Sequence, residues 1–433
     1  MARLLRQSAV VTLCAAVALA CVFVVTAAAP VRLTNGPVPT STATPTEVVA
    51  QPVDPIRAWS ELRLAEMTPD EKVRSLLVIH VPGINPDGMR VAVDSVASGG
   101  AGVGGLILMR DNIPGTPEEL ASLTAYAQAD PALPPIVAMD EEGGDVVRLP
   151  YDEFAGADSL RTADATQTAT AFAGRAALLS SVGVNLNFGL VADVTSDPGS
   201  FIYWRTFGDD PAAAAQRVAA GVSAETPVVA STLKHFPGHG RTGADSHRGI
   251  PTTEVSMDEW MSTDALPFVA GITAGAPAVM FGHLVFSSVD SAPATLSGRW
   301  HDILRTDLGF DGLAITDDML MLQSSGIADL SDPYANAVSA LSAGNDLLLY
   351  VLPADMTTVG IDLTTLSATL VANVSAERID ESALRVLMFR RALAPDALTW
   401  RPPCDVLCTA QQVGGFVSTR PVMLVRQDAS SLS

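Results

Sequence analysis

Residues 210–240 read DPAAAAQRVAAGVSAETPVVASTLKHFPGHG. Asp210-Pro211 opens an Ala-rich helix that runs to about Ala224, with proline suited to the first turn. A short apolar run follows at residues 228–233, of the kind found in fully buried strands. Next comes Lys234-His235-Phe236-Pro237-Gly238-His239-Gly240, where the Pro-Gly pair forbids a regular helix and dictates a shaped loop. Helix, buried strand and polar loop in that order form one unit of a parallel α/β fold.

The unit recurs along the chain. Thr68-Pro69-Asp70-Glu71 and Thr116-Pro117-Glu118-Glu119 are both helix starts, with a capping threonine, a first-turn proline and a glutamate that closes a capping box. Apolar runs of the same type lie at residues 76–80, 106–109, 136–139, 184–188, 228–233, 278–281, 313–315 and 347–351. Eight strands alternating with helices predict an α/β protein built as a single (β/α)8 TIM-type barrel over residues 56–398. A doubly wound open sheet is the rival, but no GxGxxG follows the first strand. Residues 378–393 read as a closing helix, and 399–433 as an irregular tail.

The chain has 433 residues and a formal net charge of -21, which argues against nucleic acid or anionic lipid as a partner. Residues 1–29 form an export segment, in which Arg3 and Arg6 precede a charge-free apolar stretch. Three readings fit it: lipoprotein processing with acylation at Cys21, cleavage among the small residues 27–29, or an uncleaved membrane anchor. Residues 30–55, rich in Pro, Thr and Val, read as an extended linker. The expectation is an extracytoplasmic protein, attached to the cell membrane or else secreted, and monomeric. Cys404 and Cys408 are expected to pair as a small-loop disulfide in such a compartment.

Residues with chemical potential cluster just after the apolar runs. Asp140 follows the third, Lys234-His235 the fifth, His283 the sixth and Asp317-Asp318 the seventh. In a barrel these positions converge on the face where active sites are built. The chain has six histidines, and three of them (His235, His239, His247) lie within or just beyond the loop after the fifth run. Metal binding by these with Asp245 is one reading, weakened by the lack of cysteines or a helical histidine pair. A structural loop is another, most natural for His239. No metal and no organic cofactor is expected.

The string KHFPGHG-x4-DSH, ending in Asp245-Ser246-His247, resembles the signature of family 3 glycoside hydrolases of the β-N-acetylhexosaminidase branch. Other strings agree, in order, between Met67 and Leu393. Asp140-Glu141-Glu142-Gly143-Gly144 with Arg148 is similar to the family's DQEGG-x-V-x-R, and Asn185-Leu186-Asn187-Phe188 with Asp193 to its fourth-strand segment. Arg205-Thr206-Phe207-Gly208 resembles RSFG, and Gly309-Phe310-Asp311-Gly312 leading to Thr316-Asp317-Asp318-Met319 resembles GFDG…SDDL. Arg378-Ile379-Asp380-Glu381-Ser382 also matches.

The resemblance implies a retaining exo-β-N-acetylglucosaminidase. Asp317 aligns with the nucleophile, a carboxylate that attacks the anomeric carbon to leave a covalent glycosyl-enzyme; Asp318 is its neighbour and rival. His247 aligns with the acid/base, whose ordinary pKa of about 6.5 lies near working pH, with Asp245 as its orienting partner. Asp140, Arg148, Arg205, Lys234 and His235 align with the sugar-binding set, donors and acceptors for hydroxyl groups. Each has a structural ion pair as its alternative. Asp193 and His283 are expected to support the site from beneath.

The sequence departs from the family pattern at Glu141, where Gln is common, at Asp145 for Arg, at Arg241 for Asp, and at Gly189 for Ala-Pro. Export places such an enzyme near peptidoglycan, so fragments of that polymer are the expected substrate. A β-glucosidase of the same family, a phosphorolytic enzyme and a non-catalytic lipoprotein that binds wall sugars are the competing readings.

Overall fold

The computed structural model describes residues 53–94 and 102–401. The export segment, most of the linker and the Cys404–Cys408 pair lie outside the described residues. Asp54 caps a helix at Pro55–Glu66, in the last residues of the stretch read as linker.

Eight parallel strands close into a barrel: β1 (Leu77–Ile79), β2 (Gly105–Leu108), β3 (Ile136–Met139), β4 (Leu186–Val191), β5 (Ala230–Phe236), β6 (Ala278–Phe281), β7 (Leu313–Asp318) and β8 (Leu347–Tyr350). β8 returns to β1 with Leu77 opposite Leu348. The strands pair in chain order, as right-handed strand–helix–strand repetition requires. Both capping boxes form, at Thr68 and Thr116. The Ala-rich helix spans Pro211–Glu225 and the closing helix Ala376–Ala392.

The strand ends differ from the expectation. Lys234 and His235 lie inside β5, and Asp317 and Asp318 are the last residues of β7. An apolar run stops at the first polar residue, but the backbone ladder does not: Val191 still pairs with Lys234 and Phe236 with Phe281. Polar side chains are tolerated there because the strand tips line the mouth of the barrel. The fourth strand starts two residues later than the run at Val184 and continues through Gly189 to Val191, because Val184 is still tied by its N–H to Leu179 O at the end of the preceding helix.

Two features anchor the barrel at opposite ends. Beneath the end of β5, the Phe236 ring lies 5.0 Å from Phe281, 5.3 Å from Phe268, 5.7 Å from Trp300 and 5.9 Å from Trp260, all edge-on. Trp260 Nε1 donates to Pro237 O at 2.7 Å, which fixes the exit of that strand. At the other end, buried Asp346 precedes β8 and accepts from Arg305 (2.6 Å), Arg378 (2.8 Å) and Arg385 (3.2 Å). Burial opposes its ionisation, but the three guanidiniums win and hold its pKa at about 2. Arg378 and Ser382 of the closing string therefore act at the face remote from the chemical residues.

Asp346→Ala removes the one buried carboxylate that all three guanidiniums share, with Arg378 and Arg385 retaining only half-exposed Glu381, and is expected to cost about 3–5 kcal/mol in urea unfolding. A loss below about 1 kcal/mol, the range of a surface pair, would contradict the anchoring role.

Candidate active site

The C-terminal ends of β3 to β7 deliver the chemical side chains to one mouth. Lys234 Nζ, only 3% exposed, lies 2.9 Å from Asp140 Oδ1 and 2.6 Å from Glu142 Oε1. Arg148 Nη2 reaches the other Asp140 oxygen at 3.2 Å. Arg205 grips Glu142 with a two-pronged contact of 2.9 and 2.8 Å. Four of the expected sugar-binding residues thus share one network. Glu142 joins them and was overlooked in the sequence, although it stands inside the Asp140–Gly144 string; nothing in a run of three acids tells which one turns inward. Burial resists ionisation of Glu142, yet Arg205 and Lys234 hold its carboxyl well below the usual range. Burial also works against the Lys234 ammonium, and Asp140 with Glu142 reverses that and raises its pKa.

A second group surrounds His235. Asp193, buried just after β4, accepts from His235 Nδ1 at 2.8 Å and from the backbone N–H of His239 at 2.6 Å. Burial opposes its charge, but His235 keeps its pKa lowered. His239 itself is buried, which pushes its pKa down to about 4 and leaves the ring neutral. His283 is buried after β6, with Nδ1 2.9 Å from Thr295 Oγ1 and Nε2 2.9 Å from Asp318 O.

Asp317 and Asp318 diverge at the tip of β7. Asp317 Oδ1 accepts the Asp318 N–H at 2.8 Å. Burial would raise its pKa, but His235, His283 and Lys234 lower it further, so it stays a carboxylate. Asp318 Oδ1 instead accepts from Val351 N at 3.0 Å and Leu320 N at 3.2 Å, bracing the end of β8. Burial, with the Asp317 charge added, pushes Asp318 up to about 6. The environment separates two adjacent acids into an anion at the mouth and a brace behind it.

His247 stands apart from this set. Its Nδ1 lies 2.7 Å from Asp245 Oδ1, which also accepts the His247 N–H at 3.0 Å. The imidazole is 64% exposed on the loop after β5. Asp245 is lowered despite its partial burial by those His247 contacts.

The turn between Asp140 and Arg148 rests on a neutral base. Glu141 Oε2 accepts from Arg148 N (2.8 Å) and Leu149 N (3.1 Å), and burial together with nearby Asp152 raises its pKa. Asn187 accepts the Glu141 N–H, donates to Glu141 O, and donates to Glu225 Oε1 at 2.7 Å. Burial pushes Glu225 up to about 8.

Comparison with known proteins bears on this arrangement. The glycosyl hydrolase family 3 N-terminal domain matches residues 68–389. A β-hexosaminidase of Xanthomonas campestris pv. campestris (strain B100) is 34% identical over 317 residues, covering 70% of this chain and 91% of its own. β-Hexosaminidase A of Pseudoalteromonas piscicida is 34% identical over 57% of this chain, which spans only 45% of that longer protein. The solved family 3 β-N-acetylglucosaminidase from Paenibacillus sp. str. FPU-7 superposes with a TM-score of 0.68 at 31% identity, covering 75% of this chain and 63% of that one.

A raised folded-state pKa means that the folded protein alone retains the proton between the ordinary value of 4.5 and about 8 for Glu225, and Glu141 acts in the same direction. Stability from these groups is therefore complete below that window and lost as pH rises through it. Glu225→Gln and Glu141→Gln are expected to flatten the fall in melting temperature between about pH 5 and about pH 9. Slopes equal to wild type in both variants would refute neutral carboxyls at these positions.

Proposed function

Because the chain belongs to glycosyl hydrolase family 3, we propose that it removes terminal β-linked N-acetylglucosamine by a retaining double displacement. The observation that carries this reading is the placement of Asp317 at the tip of β7, on the same barrel mouth as the buried Asp140–Lys234–Glu142–Arg205 network; His235 and His283 lower its pKa against burial. Asp140 accepts hydrogen bonds from sugar hydroxyls, and Lys234, Arg148, Arg205 and His235 supply donors. Asp317 attacks the anomeric carbon as the glycosidic bond breaks, and the sugar becomes an ester of the enzyme.

His247 supplies the proton to the departing oxygen. Its Nδ1 contact with Asp245 leaves Nε2 as the face that reacts. In the second half the same imidazole takes a proton from water, which attacks the anomeric carbon with a second inversion as the bond to Asp317 breaks and the carboxylate is released. The exposed loop has to bring His247 inward over the bound sugar for either transfer.

Its similarity to a β-hexosaminidase and to a β-N-acetylglucosaminidase supports N-acetylglucosaminides as substrates. The apolar export segment favours a site of action outside the cytoplasm, tethered to the membrane or secreted. Peptidoglycan fragments, whose glycan contains β-linked N-acetylglucosamine, are the natural substrate we infer.

Paired nitrophenyl N-acetylglucosaminide and nitrophenyl glucoside test both parts of the reading. The wild type is expected to prefer the former, with Asp317→Ala reducing turnover by roughly 10⁴-fold or more at unchanged circular dichroism. Preference for the glucoside would defeat the substrate assignment, and substantial turnover by the Asp317 variant would defeat the mechanism.

A further inference from the structure

Arg241 closes the short turn His239–Arg241 at the root of the loop that carries His247. Its Nε lies 2.6 Å from Asp264 Oδ2 and its Nη1 2.8 Å from Glu259 Oε1, while Nη2 donates to Thr263 Oγ1. All three acceptors belong to one short segment, helix Met257–Ser262 and the residues that join it to helix Ala265–Thr273. We propose that Arg241 is a positioning residue for His247, bolting the root of the loop to this segment and so fixing where the imidazole arrives. The proposal rests on the acid/base reading of His247 given above.

The same segment already holds the end of β5, through the bond from buried Trp260 to Pro237 O. On the inner side, the loop root is fitted against the turn after β4. The His239 N–H is bound by Asp193, and a Cβ at Gly240 would lie 1.9 Å from Val194 O. On the far side the Val285 N–H donates to Pro251 O at 2.9 Å, where Thr252–Thr253 pairs with Val285–Phe286. Residues 243–250 therefore span two fixed ends, and the direction in which the loop leaves the first end is set at Arg241.

The arms of the clamp differ in strength. Glu259 is half exposed, and a contact of that kind contributes little. Asp264 is 2% exposed, so its bond to Arg241 is shielded from water and sets the guanidinium plane. A displacement of about 1 Å at a catalytic group costs about 100-fold in rate, which makes the root of the loop a sensitive place.

The test separates misplacement of the acid from general damage. A dinitrophenyl N-acetylglucosaminide expels a leaving group that needs no proton, whereas an alkyl N-acetylglucosaminide requires one. For Arg241→Ala in the full-length chain, kcat/KM is expected to fall about 30–100-fold on the alkyl substrate and within about threefold on the dinitrophenyl one, since general acid catalysis contributes about 10²–10⁴-fold. Arg241→Lys should recover part of the loss. Equal losses on both substrates, or no loss on either, would overturn the proposal. Asp264→Asn keeps the size of the partner and weakens the same bond, so it serves the same readout if Arg241→Ala does not fold. His247→Ala is measured alongside: uniform losses in that variant defeat the acid/base reading itself, whereas a selective loss there with a uniform loss at Arg241 defeats only the clamp.

Discussion

The Lys234 ammonium, almost without solvent, is shared by Asp140 and Glu142 from the end of β3. A buried ammonium without partners is untenable, and so are two buried carboxylates side by side. The charges therefore fix one another, and with them the spacing of β3 and β5 across β4. Arg205, sent over from beyond β4, and Arg148, from the β3 loop, complete the set. Against burial, which alone would neutralise it, His235 and His283, with Lys234 of this network, keep Asp317 ionised.

Consecutive acids along this chain have opposite fates. Glu141 is turned under the β3 loop and kept neutral, while Glu142 faces two cations and is fully charged. Asp317 and Asp318 repeat the pattern at the tip of β7. In each pair one acid carries charge at the mouth and the other braces the backbone behind it. A strand tip alternates its side chains between two surroundings, and the surroundings decide the proton. The half of the site that we propose binds the sugar is thus a buried, mutually paired network, whereas the proposed acid/base is carried on an exposed loop. This division suits a reaction in which the substrate enters before the acid is needed.

The barrel was legible because buried strands and capped helices alternate eight times, each signalled by local chemistry such as the boxes at Thr68 and Thr116. The ends of β5 and β7 were not, because apolar content marks the part of a strand inside the core and says nothing of the rungs that continue into the mouth. Most of the candidate set was found through the family-like strings, since its members sit in fixed order after strands. Glu142 escaped because a run of acids gives no hint of which side chain turns inward. The Arg241 clamp escaped because its partners lie 18 to 23 residues away on a surface segment, and only folding brings them together. The Arg378 string was legible as a match but not as an anchor of the opposite end.

The proposed chemistry turns on a covalent bond between Asp317 and the sugar. The most direct measurement incubates the full-length protein with an activated fluorosugar whose glycosyl ester turns over slowly, followed by proteolysis and mass spectrometry. One added glycosyl group, carried by Asp317, is expected. A label on Asp318 or on any other side chain, or rapid hydrolysis without any labelled species together with inverted product stereochemistry, would contradict it.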